Sequence, residues 1–178
     1  IEAVTGVQTC ALPIYSPIEC AAFTRIVSRI AYLEGAREVI VTWRDELSTK
    51  IKFTLAPEEI FCEYPDWQKD FYVSSARKGA AFLSISASDP ELMKDVNPDR
   101  LSKSNKAASN AIKEYRDRMM SNKNVWCVAS IPTQGWANKV FPEVSEKDAM
   151  EKLWNAIFKT VRVDTEDPVV SRSEEHTS

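Results

Sequence analysis

The sequence is poor in the residues on which most sites are built. Its 178 residues hold one histidine, four glycines and four cysteines. A single histidine excludes any site on this chain that needs two imidazoles, His-Glu-x-x-His zinc sites included. Scattered glycines leave no room for a Gly-x-Gly-x-x-Gly turn or a phosphate loop. There is no basic excess: 23 Lys and Arg stand against 26 Asp and Glu, a formal net charge of −3, so no nucleic-acid partner is expected. No apolar run approaches the roughly eighteen residues of a membrane span, so none is expected in a membrane. What is present is 44% hydrophobic and 28% charged, the composition of a globular chain of one domain or a little more.

The two ends read as foreign. Cys10–Ile14 can be written as the codons TGT-GCT-CTT-CCG-ATC followed by T. The reverse complement of that string is AGA-TCG-GAA-GAG-CAC, codons for Arg172–His176. Extension through Gln8 and Thr9 yields ACG-TCT, codons for Thr177 and Ser178. One oligonucleotide ligated to both ends of an insert gives this pattern, and the string resembles a sequencing-library adapter. Residues 1–14 and 172–178 are therefore read as translated adapter and set aside, leaving a native stretch, 15–171, truncated at both ends. The lone histidine, His176, goes with the tail. Without Arg172, Glu2, Glu174 and Glu175 the insert is close to neutral. Cys20, Cys62 and Cys127 remain, widely spaced and without a CxxC pair, which points to a reduced, cytoplasmic protein with structural thiols.

Along the insert, Ser16-Pro17 is read as opening a helix that carries Phe23, Ile26, Val27, Ile30 and Leu33 and stops at Gly35. Glu38–Trp43 reads as a buried strand of the parallel type. Residues 44–55 are left as helical or irregular. Short helices are expected at Pro57 and at Pro65-Asp66, the second with Trp67 and Phe71 inward and Gly79 at its end. Ala80–Ser86 is a second strand. Asp89-Pro90 and Asn97-Pro98 each pair a capping residue with proline, the latter opening a helix to about Met120. Val125–Ile131 is a third strand. A short helix then holds Trp136 and Val140, and the Ser145/Asp148 pair caps an amphipathic helix with Leu153, Trp154 and Ile157. Strands separated by helices require crossovers. The expected class is α/β: a mostly parallel sheet of at least three strands with helices on both faces and its first strand missing.

Chemistry is sparse. Asp89 lies just past a strand end, where open α/β sheets bind ligands, but reads better as a helix cap. Ser84, Ser86 and Ser88 have no histidine partner. Cys20 and Cys127 read as packing residues. Asp164, Glu166 and Asp167 read as a solvated acidic exit instead of a metal site. Trp136, in the loop after a strand, is the weak candidate for an interface. No catalytic, cofactor-binding or metal-ligating residue is assigned.

Four stretches in order carry a resemblance: S-P-I-E-C-A-A-F at Ser16–Phe23, A-F-L-S-I-S-A-S-D-P at Ala81–Pro90, S-N-K-N-V-W-C-V-A-S-I-P-T-Q-G-W-A-N-K-V-F-P at Ser121–Pro142, and E-K-L-W-N-A-I-F-K-T-V-R-V-D-T-E-D-P at Glu151–Pro168. Together they resemble the N-terminal region of the thermophilic-type dinuclear metallo-aminopeptidases, the family of aminopeptidases T, S and II. The resemblance implies a cytoplasmic homodimeric hydrolase that releases N-terminal amino acids from peptides with two divalent metals, such as zinc or cobalt. It places the metal ligands and the general base beyond this insert, so the fragment itself is expected to bind no metal pair and to be inactive. It also implies that a helix and a strand before Ser16 are missing. The rival reading is a stand-alone α/β binding or interaction module.

Overall fold

A computed structural model describes residues 11–87, 89, 91–168 and 170. They fall into two units, one of residues 11–87 and 92–131 and one of residues 89, 91, 132–168 and 170.

The first unit is a four-stranded, all-parallel sheet in the order β2-β1-β3-β4. Its strands are β1 (Leu12–Pro17), β2 (Val39–Arg44), β3 (Phe82–Ser86) and β4 (Trp126–Ser130). The helices between them are α1 (Ala21–Leu33), α2 (Glu46–Leu55), α3 (Asp66–Arg77), α4 (Pro98–Ala111) and α5 (Lys113–Met120). Alternation sorts the side chains onto two faces. One face packs Leu12, Ile14, Val41, Leu83 and Ile85 against Phe23 and Val27 of α1. The other packs Phe82 against Ala76 and Tyr72 of α3 and Tyr115 and Met119 of α5. Helices thus cover both faces, as the alternation of strands and helices requires.

The strand expected to be missing is present. Leu12–Pro17 forms β1 between β2 and β3, so the last three residues of the head, Leu12-Pro13-Ile14, belong to the fold. Leu12 and Ile14 have the spacing that puts both on the α1 face, and Ile14 is 1% exposed. A proline such as Pro13 disfavours a central strand, because it lacks a ladder donor. It is accommodated by orientation. Leu12 donates its N–H to Glu38 O toward β2, and Ala11 O accepts from Ala81 N toward β3. Alternation then turns the donorless nitrogens of Pro13 and Pro17 toward β3. On that side the pairing is short, only Ile14 with Leu83 and Tyr15 with Ser84, whereas all six residues pair with β2.

Other differences have local causes. Ser16-Pro17 ends β1 instead of opening a helix, and α1 begins after a 3-10 turn over Ile18–Cys20. Ser16 Oγ lies 2.7 Å from Thr24 Oγ1, both side chains fully buried, so α1 turns Thr24 to the sheet and leaves Ile26, Ile30 and Leu33 exposed. Residues 46–55 are helical, capped by Asp45, which accepts from Leu47 N at 2.9 Å. The expected helix from Pro98 to Met120 breaks at Ile112 (φ −101°, ψ 25°) into α4 and α5. Trp67 points to solvent, 73% exposed, while Ala76 is the residue of α3 that is buried. Gly79 ends the turn after α3 with φ +79°, a conformation favouring glycine.

The second unit contains α6 (Gln134–Val140) and α7 (Glu146–Thr160). Ala137, Ala149 and Leu153 are its buried core, with Trp136, Phe141, Met150 and Ile157 packed around them. The Ser145/Asp148 cap forms as expected: Ser145 Oγ accepts from Asp148 N at 3.2 Å and contacts Asp148 Oδ2 at 2.7 Å. Trp154 lies off the buried stripe, its ring 5.1 Å from that of Phe158.

Candidate functional site

In an open α/β sheet the ligand crevice lies at the carboxyl ends of the strands, where the strand order reverses. Here that point falls between the ends of β1 and β3. Most of its polar groups are already spent, Arg44 Nε being the buried exception. Ser16 Oγ lies 2.7 Å from Thr24 Oγ1, with Pro17 O 3.0 Å from the first and Cys20 O 3.0 Å from the second, so the two hydroxyl protons are shared among these three contacts. Cys20 is 4% exposed. Burial pushes its thiol up, and Glu19 and Glu46 push it further, so the thiolate is disfavoured and packing is its role. Arg44, ending β2, donates from Nη2 to Glu46 Oε1 at 3.1 Å and sets its guanidinium 5.4 Å from the centre of the Tyr15 ring.

A second feature of the sheet unit was not legible in the sequence. A cavity of about 440 Å³ lies on the sheet face covered by α3 and α5. Tyr15, Tyr64, Tyr72 and Tyr115 line it together with Trp126 and Val128. Burial raises the Tyr72 hydroxyl above the ordinary phenol range, and Tyr15, Tyr64 and Tyr115 raise it further, as expected where four phenols share one space. These tyrosines come from β1, a loop, α3 and α5. No sequence period links them.

The sequence candidates scatter. Ser84 lines the cavity and Ser86 accepts from Ile131 N at 2.8 Å through its carbonyl, while Ser88 lies outside the described residues. Asp89 behaves as a cap, accepting from Glu91 N at 2.9 Å. The segment after it forms turns instead of the expected helix. Cys127, expected in the core, is exposed. Trp136 is half-buried in the α6–α7 core, its N–H donated to Thr133 Oγ1 at 3.2 Å. Asp164, Glu166 and Asp167 are exposed, and among the described residues no group of three or more His, Cys, Asp or Glu side chains is placed to hold a metal ion. No described helix is long and apolar enough to cross a membrane. The described residues therefore do not fit a metal centre.

Comparison with known proteins sets these features in context. The family described as thermophilic metalloprotease (M29) matches residues 5–178. The chain belongs to this family. Aminopeptidase 2 of Geobacillus stearothermophilus is 44% identical over 156 residues, 88% of this chain and 38% of that protein. Aminopeptidase AmpS of Bacillus subtilis (strain 168) is 42% identical over 147 residues, 83% of this chain and 36% of that protein. The solved structure of wild-type AmpT from Thermus thermophilus is 31% identical, with a TM-score of 0.76, over 84% of this chain and 38% of that one. This M29 chain thus spans under two fifths of the length of the curated relatives it matches.

Proposed function

We propose that the 178 residues are an N-terminal portion of a metal-dependent aminopeptidase that releases N-terminal amino acids from peptides, and that this portion alone has no peptidase activity. One observation carries the reading. The relatives are aminopeptidases matched over most of this chain but over only 36–38% of their own length, while the described residues here offer no metal-ligand cluster. In this reading the divalent metal pair, zinc, cobalt or similar, and its carboxylate base belong to the part of the protein not spanned here. In the same reading the native portion is residues 15–171 and the flanks, 1–14 and 172–178, are translated adapter, of which Leu12-Pro13-Ile14 completes β1 in place of the native residues. The α/β portion helps to wall the substrate cleft and to shape contacts between two subunits of a cytoplasmic homodimer, with Trp136 as the interface candidate.

The test is direct. The purified chain, supplied with zinc or cobalt, is expected to hydrolyse an aminoacyl-p-nitroanilide no faster than the metal alone. Turnover above that blank overturns the assignment of the catalytic machinery to another part of the protein. Sequencing an independent clone across Tyr15 and Ser171 tests the adapter reading. Native codons replacing both flanks support it, and recurrence of the same flanks in genomic DNA refutes it.

A further inference from the structure

The two outer strands of the sheet differ. β2 is half-covered along its length, with only Trp43 of its six residues exposed. β4 is exposed at four of five positions, with Trp126 at 43% and Val128 at 57%. Among the described residues β4 pairs with β3 alone.

The backbone direction of β4 follows from two bonds. Val125 O accepts from Phe82 N at 2.9 Å, and Ile131 N donates to Ser86 O at 2.8 Å, so residues 125 and 131 face β3. Alternation places Cys127 and Ala129 on that side as well. The N–H and C=O groups of Trp126, Val128 and Ser130 therefore face outward along the free edge. Finished proteins protect such edges with charge, proline or a bulge. Trp-Cys-Val-Ala-Ser carries neither charge nor proline, and strands of this apolar kind belong inside a parallel sheet. Trp126 and Val128 also line the 440 Å³ cavity, so the edge adjoins apolar space.

We infer that β4 is an internal strand lacking its neighbour. Its occupant is a β-strand from the part of the family-length protein that these 178 residues do not span, adding backbone to backbone at Trp126, Val128 and Ser130 with an apolar side chain over Trp126 and Val128. The length supports this occupant, since the matched region is only 38% of aminopeptidase 2. The inference rests on family membership and on the sheet, and is independent of where the catalytic metals lie.

Hydrogen exchange tests it, run on this chain and on intact aminopeptidase 2 of Geobacillus stearothermophilus. The Val128 and Ser130 amides are expected to exchange freely in this chain. The matching amides of the intact relative are expected to be slowed by about a hundredfold or more. A Val128→Lys substitution should leave the melting temperature of this chain unchanged, while the matching change in the relative should lower it. Equally fast exchange at the matching amides overturns the proposal. So does concentration-dependent protection of Val128 and Ser130 in this chain, because a second copy is then the occupant.

Discussion

The carboxylate of Asp89 lies against the backbone of Gly135. A β-carbon built on Gly135 would stand 2.6 Å from Asp89 Cγ and 2.7 and 2.9 Å from the two oxygens. The contact joins two stretches that the sequence shows only as separate motifs, S-D-P and P-T-Q-G-W. Asp89 is itself held, accepting from Glu91 N at 2.9 Å.

Gly135→Ala measures that contact. In an open helix the change would gain about 1 kcal/mol from propensity. Here the added methyl meets a restrained carboxylate, and a net loss of about 1–2 kcal/mol is expected. In an Asp89→Ala background the same change should be neutral or favourable. Urea unfolding of the four-member cycle checks this, and additivity of the two changes would rule the contact out as the cause.

Pro13→Val should stabilise the chain. It restores an N–H on the β3-facing side of β1, where only two residue pairs now register. A gain of about 1 kcal/mol is expected from the recovered hydrogen bond. Thermal unfolding reads it, and a lowered melting temperature would contradict the orientation assigned to β1.

Asn124 fastens the end of α3 and the approach to β3 onto the approach to β4. It is 5% exposed, and its Nδ2 donates to Ala76 O at 3.0 Å and Ala80 O at 2.9 Å. Its Oδ1 accepts from Arg118 Nε at 2.9 Å. Asn124→Ala leaves the two carbonyls without this donor and should cost about 2–3 kcal/mol. Asn124→Asp, which replaces the donor with a carboxylate, should be at least as damaging. Denaturant midpoints that match those of the unmodified chain would refute this.

Three carboxylates in favourable pairings, two of them exposed, predict an acid-side loss of stability. A hydrogen bond from Lys103, at 2.6 Å, holds Glu58 below the usual carboxylate range, with Arg100 3.0 Å away. Two hydrogen bonds from Arg77 do the same for Glu114, and Ser48 does it for Asp45. A group whose folded pKa is lowered stabilises the fold above its unfolded value. That contribution disappears as the pH falls through the folded one. The melting temperature should therefore drop below about pH 4, and the drop should shrink in a Glu58→Gln/Glu114→Gln variant. An unchanged acid limb in that variant would sink the assignment.

Much of the fold can be read locally. Asn97 before Pro98, Ser145 with Asp148, and the glycines after α1 and α3 mark helix ends through bonds spanning only a few residues. The alternation of apolar strands with helices fixes a covered parallel sheet, because no shorter connection can join parallel strands. Cys20 was legible as a packing residue because it sits in an apolar helix opening. The absence of histidine from residues 15–171 was legible too, and excluded imidazole-based sites within them.

What required the tertiary structure is whatever depends on partners distant along the chain. Trp67 and Phe71 share a helix, yet only the sheet decides that Trp67 is left in water. Leu12-Pro13-Ile14 reads locally as a poor strand. It becomes a central one because β2 supplies a complete ladder on one side and Pro13 faces the short one. The cavity tyrosines meet because three helical crossovers fold residues 15, 64, 72 and 115 over one sheet face. Local sequence fixes hydrogen bonds between near neighbours. Which apolar surfaces remain uncovered, β4 above all, is set by how many strands the sheet possesses, a quantity no local pattern encodes.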